Sequence, residues 1–251
     1  MKKRLLKNGI QTIAVFALVI GVWCAVYAGV GNDLLVPAFS DCMKELWRLV
    51  LTGGFWQSVG NTLLRVVGAF FIAFVLAVAL ATVGYIYPKL GRGVSAVTAV
   101  LRTLPTLAIA LILLVWWGAD DAPVAVAFLS LFPMLYTGTA AALSQVDGDL
   151  IEMSRVYKVP LKKRVFSLYL PSAAPYVLRE AGSAAAFALK LVVSAEVLVN
   201  TYKSLGGKMQ EARIYLDIPQ LFALVCAVTL MGVGIELFCG WIARAVERRL
   251  K

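Results

Sequence analysis

The sequence predicts an all-α, polytopic membrane protein with six transmembrane helices, and three observations predict it. First, 61% of the 251 residues are hydrophobic and only 15% are charged, whereas a water-soluble domain is about half apolar and about a quarter charged. Second, long apolar runs recur along the whole chain, and the mean hydropathy is +0.84. Third, basic residues collect at the ends and at particular turns rather than spreading over a surface. At about 20 residues per crossing, six helices use about 120 residues. The rest falls in short pieces, which argues against an attached soluble catalytic domain.

The net charge of +10, 24 Lys and Arg against 14 Asp and Glu, is informative through its placement. Lys2, Lys3, Arg4 and Lys7 open the chain, and Arg244, Arg248, Arg249 and Lys251 close it against Glu247. Both termini therefore read as cytoplasmic by the positive-inside rule, and nucleic acid is not the partner this charge serves. Histidine is absent, which removes the commonest metal ligand and acid–base group and argues against a zinc or triad enzyme. Cys24, Cys42, Cys226 and Cys239 lack metal-ligand spacing.

The first expected span is 9–30, too long and without the small-residue cleavage site of a signal peptide. An outside stretch follows, in which Met43, Leu46, Trp47 and Val50 recur at helical spacing and predict a short amphipathic helix. The second span, 61–85, carries Arg65 near its outer end. Pro88, Lys89, Gly91 and Arg92 then make an inside turn. The third, 94–117, is interrupted by Arg102 and Pro105 and ends in Trp116 and Trp117, residues suited to a membrane interface. Asp120 and Asp121 predict an outside turn before the fourth span, 123–143, which holds Pro133 and Gly138. The fifth span, 178–198, begins with a run of small residues, Ala181 through Ala186, that permits close helix packing. Residues 199–217 read as an outside loop, and 218–246 as the sixth span. By parity both ends then lie on the same side.

Between the fourth and fifth spans the hydrophobic pattern stops. Residues 145–178 contain Asp147, Asp149 and Glu152 against Arg155, Lys158, Lys162, Lys163 and Arg164, a balance that places them inside. Leu150, Ile151, Ser154, Tyr157 and Leu161 fit one side of a short helix, with Pro160 disturbing its end. Of the charges inside the apolar spans, where exposure to lipid is costly, four are candidate pathway or intramembrane charges: Arg102, Lys190, Glu196 and Glu236. Lys190 and Glu196 lie six residues, and so about 120°, apart on a helix and are poorly placed to pair. Lys190 suits an anionic cargo near a pathway, and Glu196 suits a basic partner at its own depth such as Arg65. No phosphate-binding loop is present, because GGK at 206–208 lacks the upstream pattern.

The stretch from Glu152 to Pro175, EMSRVYKVPLKKRVFSLYLPSAAP, resembles the signature loop of permease subunits of bacterial ATP-binding-cassette importers. Glu152 matches its opening acid, Leu170 and Pro171 match its close, and Lys158 stands where the family usually has glycine. SVGNTLLRVVGAFFIAF at 58–74, LRTLPTLAIALILLVWWG at 101–118 and SAEVL at 194–198 are similar to permeases of the nitrate, taurine, alkanesulfonate and thiamine-precursor group. The resemblance implies a type I importer permease in the bacterial inner membrane, a single transmembrane domain over residues 1–251. It implies a cytoplasmic coupling helix within 150–164 that contacts separate ATP-binding subunits through Glu152, Ser154, Tyr157, Lys158 and Val159. ATP and magnesium would be used by those partners, with no cofactor bound here. A second permease copy, expected as a homodimer, and an extracytoplasmic solute-binding protein would complete the path for a small, anionic solute. A secondary transporter and a membrane scaffold without cargo are the alternative readings.

Overall fold

The structure, a computed structural model, describes residue 18 and residues 20–32 and 35–250. Residues 9–17 and 19 of the first expected span, and the basic N-terminal cluster, lie outside the described residues. The elements in order are α1 (Ile20–Val30), α2 (Phe39–Val50), α3 (Gly53–Ile86), α4 (Pro88–Thr103), α5 (Thr106–Ser144), α6 (Gly148–Val156), α7 (Leu161–Arg164), a π-helical turn (Val165–Tyr169), α8 (Leu170–Val199), α9 (Leu205–Ile214) and α10 (Ile218–Leu250). Among the described residues four helices are long and apolar enough to cross a membrane: Gly53–Ile86, Thr106–Ser144, Leu161–Val199 and Ile218–Val246. They are not the six separate helices expected, and the chain between 88 and 144 accounts for much of the difference.

Straight, the 39 residues of α5 would extend about 58 Å, about twice the hydrocarbon core. Gly118 prevents this, with φ 78° and ψ 176°, a conformation open to glycine and strained for other residues. The two sides of Gly118 fold back on each other. Arg102 Nη2 donates to the Pro133 carbonyl at 3.0 Å, and Leu113 shares an apolar cluster with Ala122 and Val126. Ile109 and Val126 line one cavity, whereas on a straight helix they would be about 25 Å apart. α5 is therefore a hairpin of two arms, 106–117 and 119–144. The turn falls at Gly118, and Asp120 and Asp121 sit instead in the first turn of the second arm, where the helix dipole favours acids. The expected span 94–117 is also broken, with Leu104 and Pro105 in extended conformation between α4 and α5. Proline lacks an N–H and excludes the helical conformation from the residue before it.

The helix of the fifth expected span starts earlier than residue 178. α7, the π turn and α8 run on from Leu161, because Pro171 stands in the first turn of α8, where no donor is needed, directly after the π turn. Residues 205–214 of the expected loop are the helix α9. Gly206 and Gly207 belong to its first turn, and Ser204 caps it by accepting the Gly207 N–H at 2.8 Å.

Packing between the long helices relies on small residues, as expected where lipid supplies no hydrophobic drive between helices. Ala69, Ala73, Ala77 and Ala81 recur every four residues along α3, and all are buried, giving a smooth ridge on one face. A Cβ on Gly138 of α5 would lie 2.7 Å from the Glu180 Cγ on α8, so that contact requires glycine. At the α3–α4 turn a Cβ on Gly91 would lie 2.6 Å from the Gly84 carbonyl oxygen, and the Tyr136 hydroxyl donates to the Gly91 carbonyl at 3.1 Å. The outer helix α2 turns Cys42 and Leu49 inward and leaves Trp47 68% exposed, so its packed face is offset from the stripe read in the sequence. Burial, with Cys226 nearby, pushes the Cys42 thiol up to about 11.

Candidate functional site

The short helix α6 is built to end abruptly on both sides. Asp147 caps its start by accepting the Asp149 N–H at 2.9 Å, with Asp149 in the first turn and Arg155 in the last, matching the helix dipole. At its other end the Lys158 N–H donates to the Arg155 carbonyl at 2.9 Å and the Val159 N–H to the Ser154 carbonyl at 3.0 Å. This is a Schellman closure, with Lys158 in the left-handed conformation at φ 52°. Thus the lysine at the usual glycine position adopts the glycine-like backbone. Pro160 then caps α7.

The candidate coupling residues divide by face. Ser154 is buried and donates to the Ile151 carbonyl at 2.6 Å, fixing the inner side of α6. Glu152, Tyr157 and Lys158 are exposed, and Val159 is half-buried. Tyr157, 75% exposed with Met153 and Val156 also exposed, lies outside the packed face that the sequence grouped with Leu150, Ile151, Ser154 and Leu161. Met153, Val156 and Tyr157 leave large apolar side chains uncovered beside Glu152.

The four intramembrane charges do not form one constellation. Glu196 is fully buried, and its carboxylate accepts from Thr62 Oγ1 at 2.9 Å, Arg65 Nη1 at 3.2 Å and the Gly206 N–H at 3.2 Å. Arg65 in turn holds the tip of the α5 hairpin, donating from Nε to the Asp120 carbonyl and from Nη2 to the Asp120 carboxylate, each at 3.1 Å. Thr201 also reaches that tip, donating to the Ala119 carbonyl at 2.7 Å. The cluster locks α3, α5, α8 and α9 together. Arg65 is legible as the partner because opposite charges in lipid seek each other, whereas Thr62, Asp120 and Gly206 are selected only by the packing of the helices.

Lys190 is exposed, as its angular separation from Glu196 requires. Glu236 is exposed on α10 and lines, with Arg179 and Arg244, a cavity of about 350 Å³ between α8 and α10. Arg102 stands at the break between α4 and α5. Its Nη2 group bridges the Pro133 carbonyl and the Thr137 hydroxyl, which leaves Nε and Nη1 uncommitted among the described residues. It borders a cavity of about 200 Å³ between the hairpin arms and α8, lined also by Thr106, Ser130, Phe187 and Leu191. The Thr106 and Ser130 hydroxyls make no hydrogen bond among the described residues, whereas Thr82, Thr98, Thr137 and Ser144 each donate back to a carbonyl of their own helix. An arginine and two hydroxyls in an otherwise apolar cavity are groups that orient a small polar solute. No cluster of His, Cys, Asp or Glu able to hold a metal occurs among the described residues.

A helical membrane bundle with a short, capped, outward-facing helix between two of its long helices suits a transport subunit. Residues 73–251 match the family of binding-protein-dependent transport system inner membrane components, and the chain belongs to that family, the permeases of ATP-binding-cassette transporters. It is a transport subunit and not a catalytic one. It is 27% identical to a protein of Brucella melitensis named "probable ABC transporter permease protein", over 100% of this chain and 99% of that one. It is 24% identical to the nitrate import permease of Synechococcus elongatus over 98% of this chain and 93% of that one. A Bacillus subtilis permease named for aliphatic sulfonates is 22% identical over 93% and 84%. In fold the chain is similar to an inward-facing MetNI methionine transporter, with a TM-score of 0.68 and 19% identity over 77% of this chain and 96% of that one. It is also similar to a bacterial importer of the acidic polysaccharide alginate, with a TM-score of 0.65 and 13% identity over 96% and 99%.

Proposed function

We propose that this permease forms, as a homodimer, the membrane path of an ATP-driven importer for a small anionic solute handed over by an extracytoplasmic binding protein. A single bundle of this size is too small to enclose a path, and two-fold closure is the commonest way to complete one. The observation that carries the reading is α6, whose inner side is pinned by Ser154 while Glu152, Met153 and Tyr157 face outward. A rigid helix of nine residues transmits displacement to the spans on either side of it, and its charged and aromatic face suits a groove on a cytoplasmic ATPase. The positive charge of 155–164 supports its placement in the cytoplasm.

The anionic cargo is supported by the cavity at Arg102, whose uncommitted guanidinium nitrogens and two hydroxyls sit among apolar side chains, and by the exposed Lys190 beside Leu191 of that lining. The relatives named for nitrate and aliphatic sulfonates agree in charge.

The test is reconstitution of the permease with its ATPase and binding protein in proteoliposomes. ATP-dependent uptake of nitrate or of a short alkanesulfonate is expected, and Arg102→Gln should lower it about tenfold, the worth of one charged hydrogen bond, while ATPase activity persists. Uptake driven by an ion gradient without ATP would transfer the chain to the secondary transporters. A stable complex that moves nothing would favour a scaffold.

A further inference from the structure

Against the inner side of α6 lies a second cavity, of about 530 Å³, where the end of α3, α6, α7 and the π turn converge. Its polar lining is supplied by Arg155, Arg164, Tyr85, Tyr87 and Tyr169, and it contains no carboxylate. Neither arginine side chain makes an ion pair or a hydrogen bond among the described residues. Arg164 Nε is moreover buried without a partner, the one such side-chain atom among the described residues. Tyr85 and Tyr169 meet edge to face with ring centroids 5.4 Å apart, and the hydroxyls of all three tyrosines make no hydrogen bond among the described residues.

Two guanidinium groups sharing one cavity repel each other, and a buried donor left without an acceptor forfeits its hydration. Both penalties disappear if an oxyanion lies between them. The guanidinium fork matches two oxygens of a phosphate at once, and a tetrahedral phosphate has further oxygens for tyrosine hydroxyls. A single protein carboxylate has only two oxygens and would saturate one fork. Lys89, Arg92, Lys162 and Lys163 on the adjoining α4 and α7 extend the positive field around the mouth, the pattern that draws anionic headgroups to a cytoplasmic leaflet.

We propose that this cavity binds a phosphate group, carried by an anionic phospholipid of the inner leaflet or by soluble phosphate, and that its occupancy braces α6 against α3 and α7. The binding rests on the cavity alone; the bracing, as a control on coupling, rests on the reading of α6 as the ATPase-facing helix.

The full-length permease is placed in nanodiscs of phosphatidylcholine, with or without phosphatidylglycerol, as wild type, R155Q/R164Q and R164K. Native mass spectrometry reads retained lipid, thermal unfolding with added inorganic phosphate reads the soluble source, and circular dichroism checks the fold. The wild type should prefer phosphatidylglycerol at least about tenfold more than R155Q/R164Q does, as loss of charge-assisted bonds requires, with R164K intermediate. If soluble phosphate is the ligand, it should instead raise the unfolding temperature of the wild type and not of the double variant. R155Q, at an exposed position, repeats the comparison should the double variant fail to fold. Equal lipid retention and equal phosphate response in folded wild type and double variant would overturn the proposal. So would a wild type that binds neither probe while, with the partner ATPase added, only the double variant fails to stimulate ATP hydrolysis, an outcome assigning the arginines to a partner carboxylate. With binding upheld, phosphate-dependent ATPase stimulation that is unchanged in the double variant would overturn the bracing. Absence of a phosphate effect on ATPase activity in the wild type would likewise overturn the bracing, whereas a wild type that fails to stimulate its ATPase with or without phosphate would count against the importer reading.

Discussion

Arg65 Nη1 lies 3.2 Å from Glu196 Oε1, joining a carboxylate with no exposure to an arginine that is 15% exposed and whose other partner, Asp120, is 75% exposed. The two ends of this chain of charges are unequal. Without Arg65, Asp120 remains in water, but Glu196 is left in the bundle with only Thr62 and Gly206 as partners. Removing one partner of a buried pair costs about 3–5 kcal/mol, because the other charge is left uncompensated. Arg65→Met should therefore destabilise the protein by about that amount, whereas Glu196→Gln, which leaves Arg65 paired with Asp120, should cost about half as much or less. Chemical unfolding of both variants and of the double variant checks this. A pair of equal single costs that add in the double variant would show that the contact carries no coupling.

The same cluster depends on two glycines that the sequence offers only as a dipeptide. A Cβ on Gly206 would strike the Glu196 Cβ and lie 2.6 Å from the Val197 nitrogen, backbone that cannot yield, and Gly232 on α10 offers a contrast with nothing closer than 3.8 Å. Gly206→Ala must lift α9 from α8 and lengthen the bond from the Gly206 N–H to Glu196. The expected loss is about 2–4 kcal/mol, the scale of overpacking plus a broken buried bond. Gly232→Ala should change stability by no more than about 1 kcal/mol. Thermal unfolding in one detergent compares the two, and equal shifts would refute the close approach.

How far the sequence discloses these arrangements depends on whether a feature is local. The amphipathic helix at 39–50, the apolar runs of α3 and α10 and the isolation of residues 148–164 all follow from composition and period, which neighbouring residues determine. The Arg65–Glu196 partnership is legible because two opposite charges at matching depth have few other places to go in lipid. Thr62 and Gly206 are not, since hydroxyls and glycines are common in membrane helices and only the packing of α9 on α8 selects these two. The hairpin at Gly118 is displaced from the acidic pair at 120–121 for a related reason. Aspartates mark a polar surface, which a helix start satisfies as well as a turn does, whereas the positive φ requires the glycine. In the sequence Arg155 and Arg164 count only toward the basic balance that places 145–178 inside, and only the fold brings them to one cavity.

Lys158 tests whether the departure from the family's glycine carries a cost. Its φ of 52° belongs to a region that costs an ordinary residue about 1–2 kcal/mol, and glycine nothing. Glycine gives back about 0.4–1 kcal/mol through the greater freedom of the unfolded chain. Lys158→Gly should therefore stabilise the protein by about 0.5–1 kcal/mol net. Lys158→Val, whose branched Cβ resists this conformation, should destabilise it by about 1 kcal/mol or more. Because the closure at Lys158 and Val159 fixes where α6 ends, the valine variant should also weaken ATPase stimulation while the glycine variant preserves it. Unfolding temperature and stimulated ATPase activity of the two reconstituted variants provide the measurement. If glycine and valine shift stability alike, the side chain's charge and not the backbone at position 158 governs the end of α6.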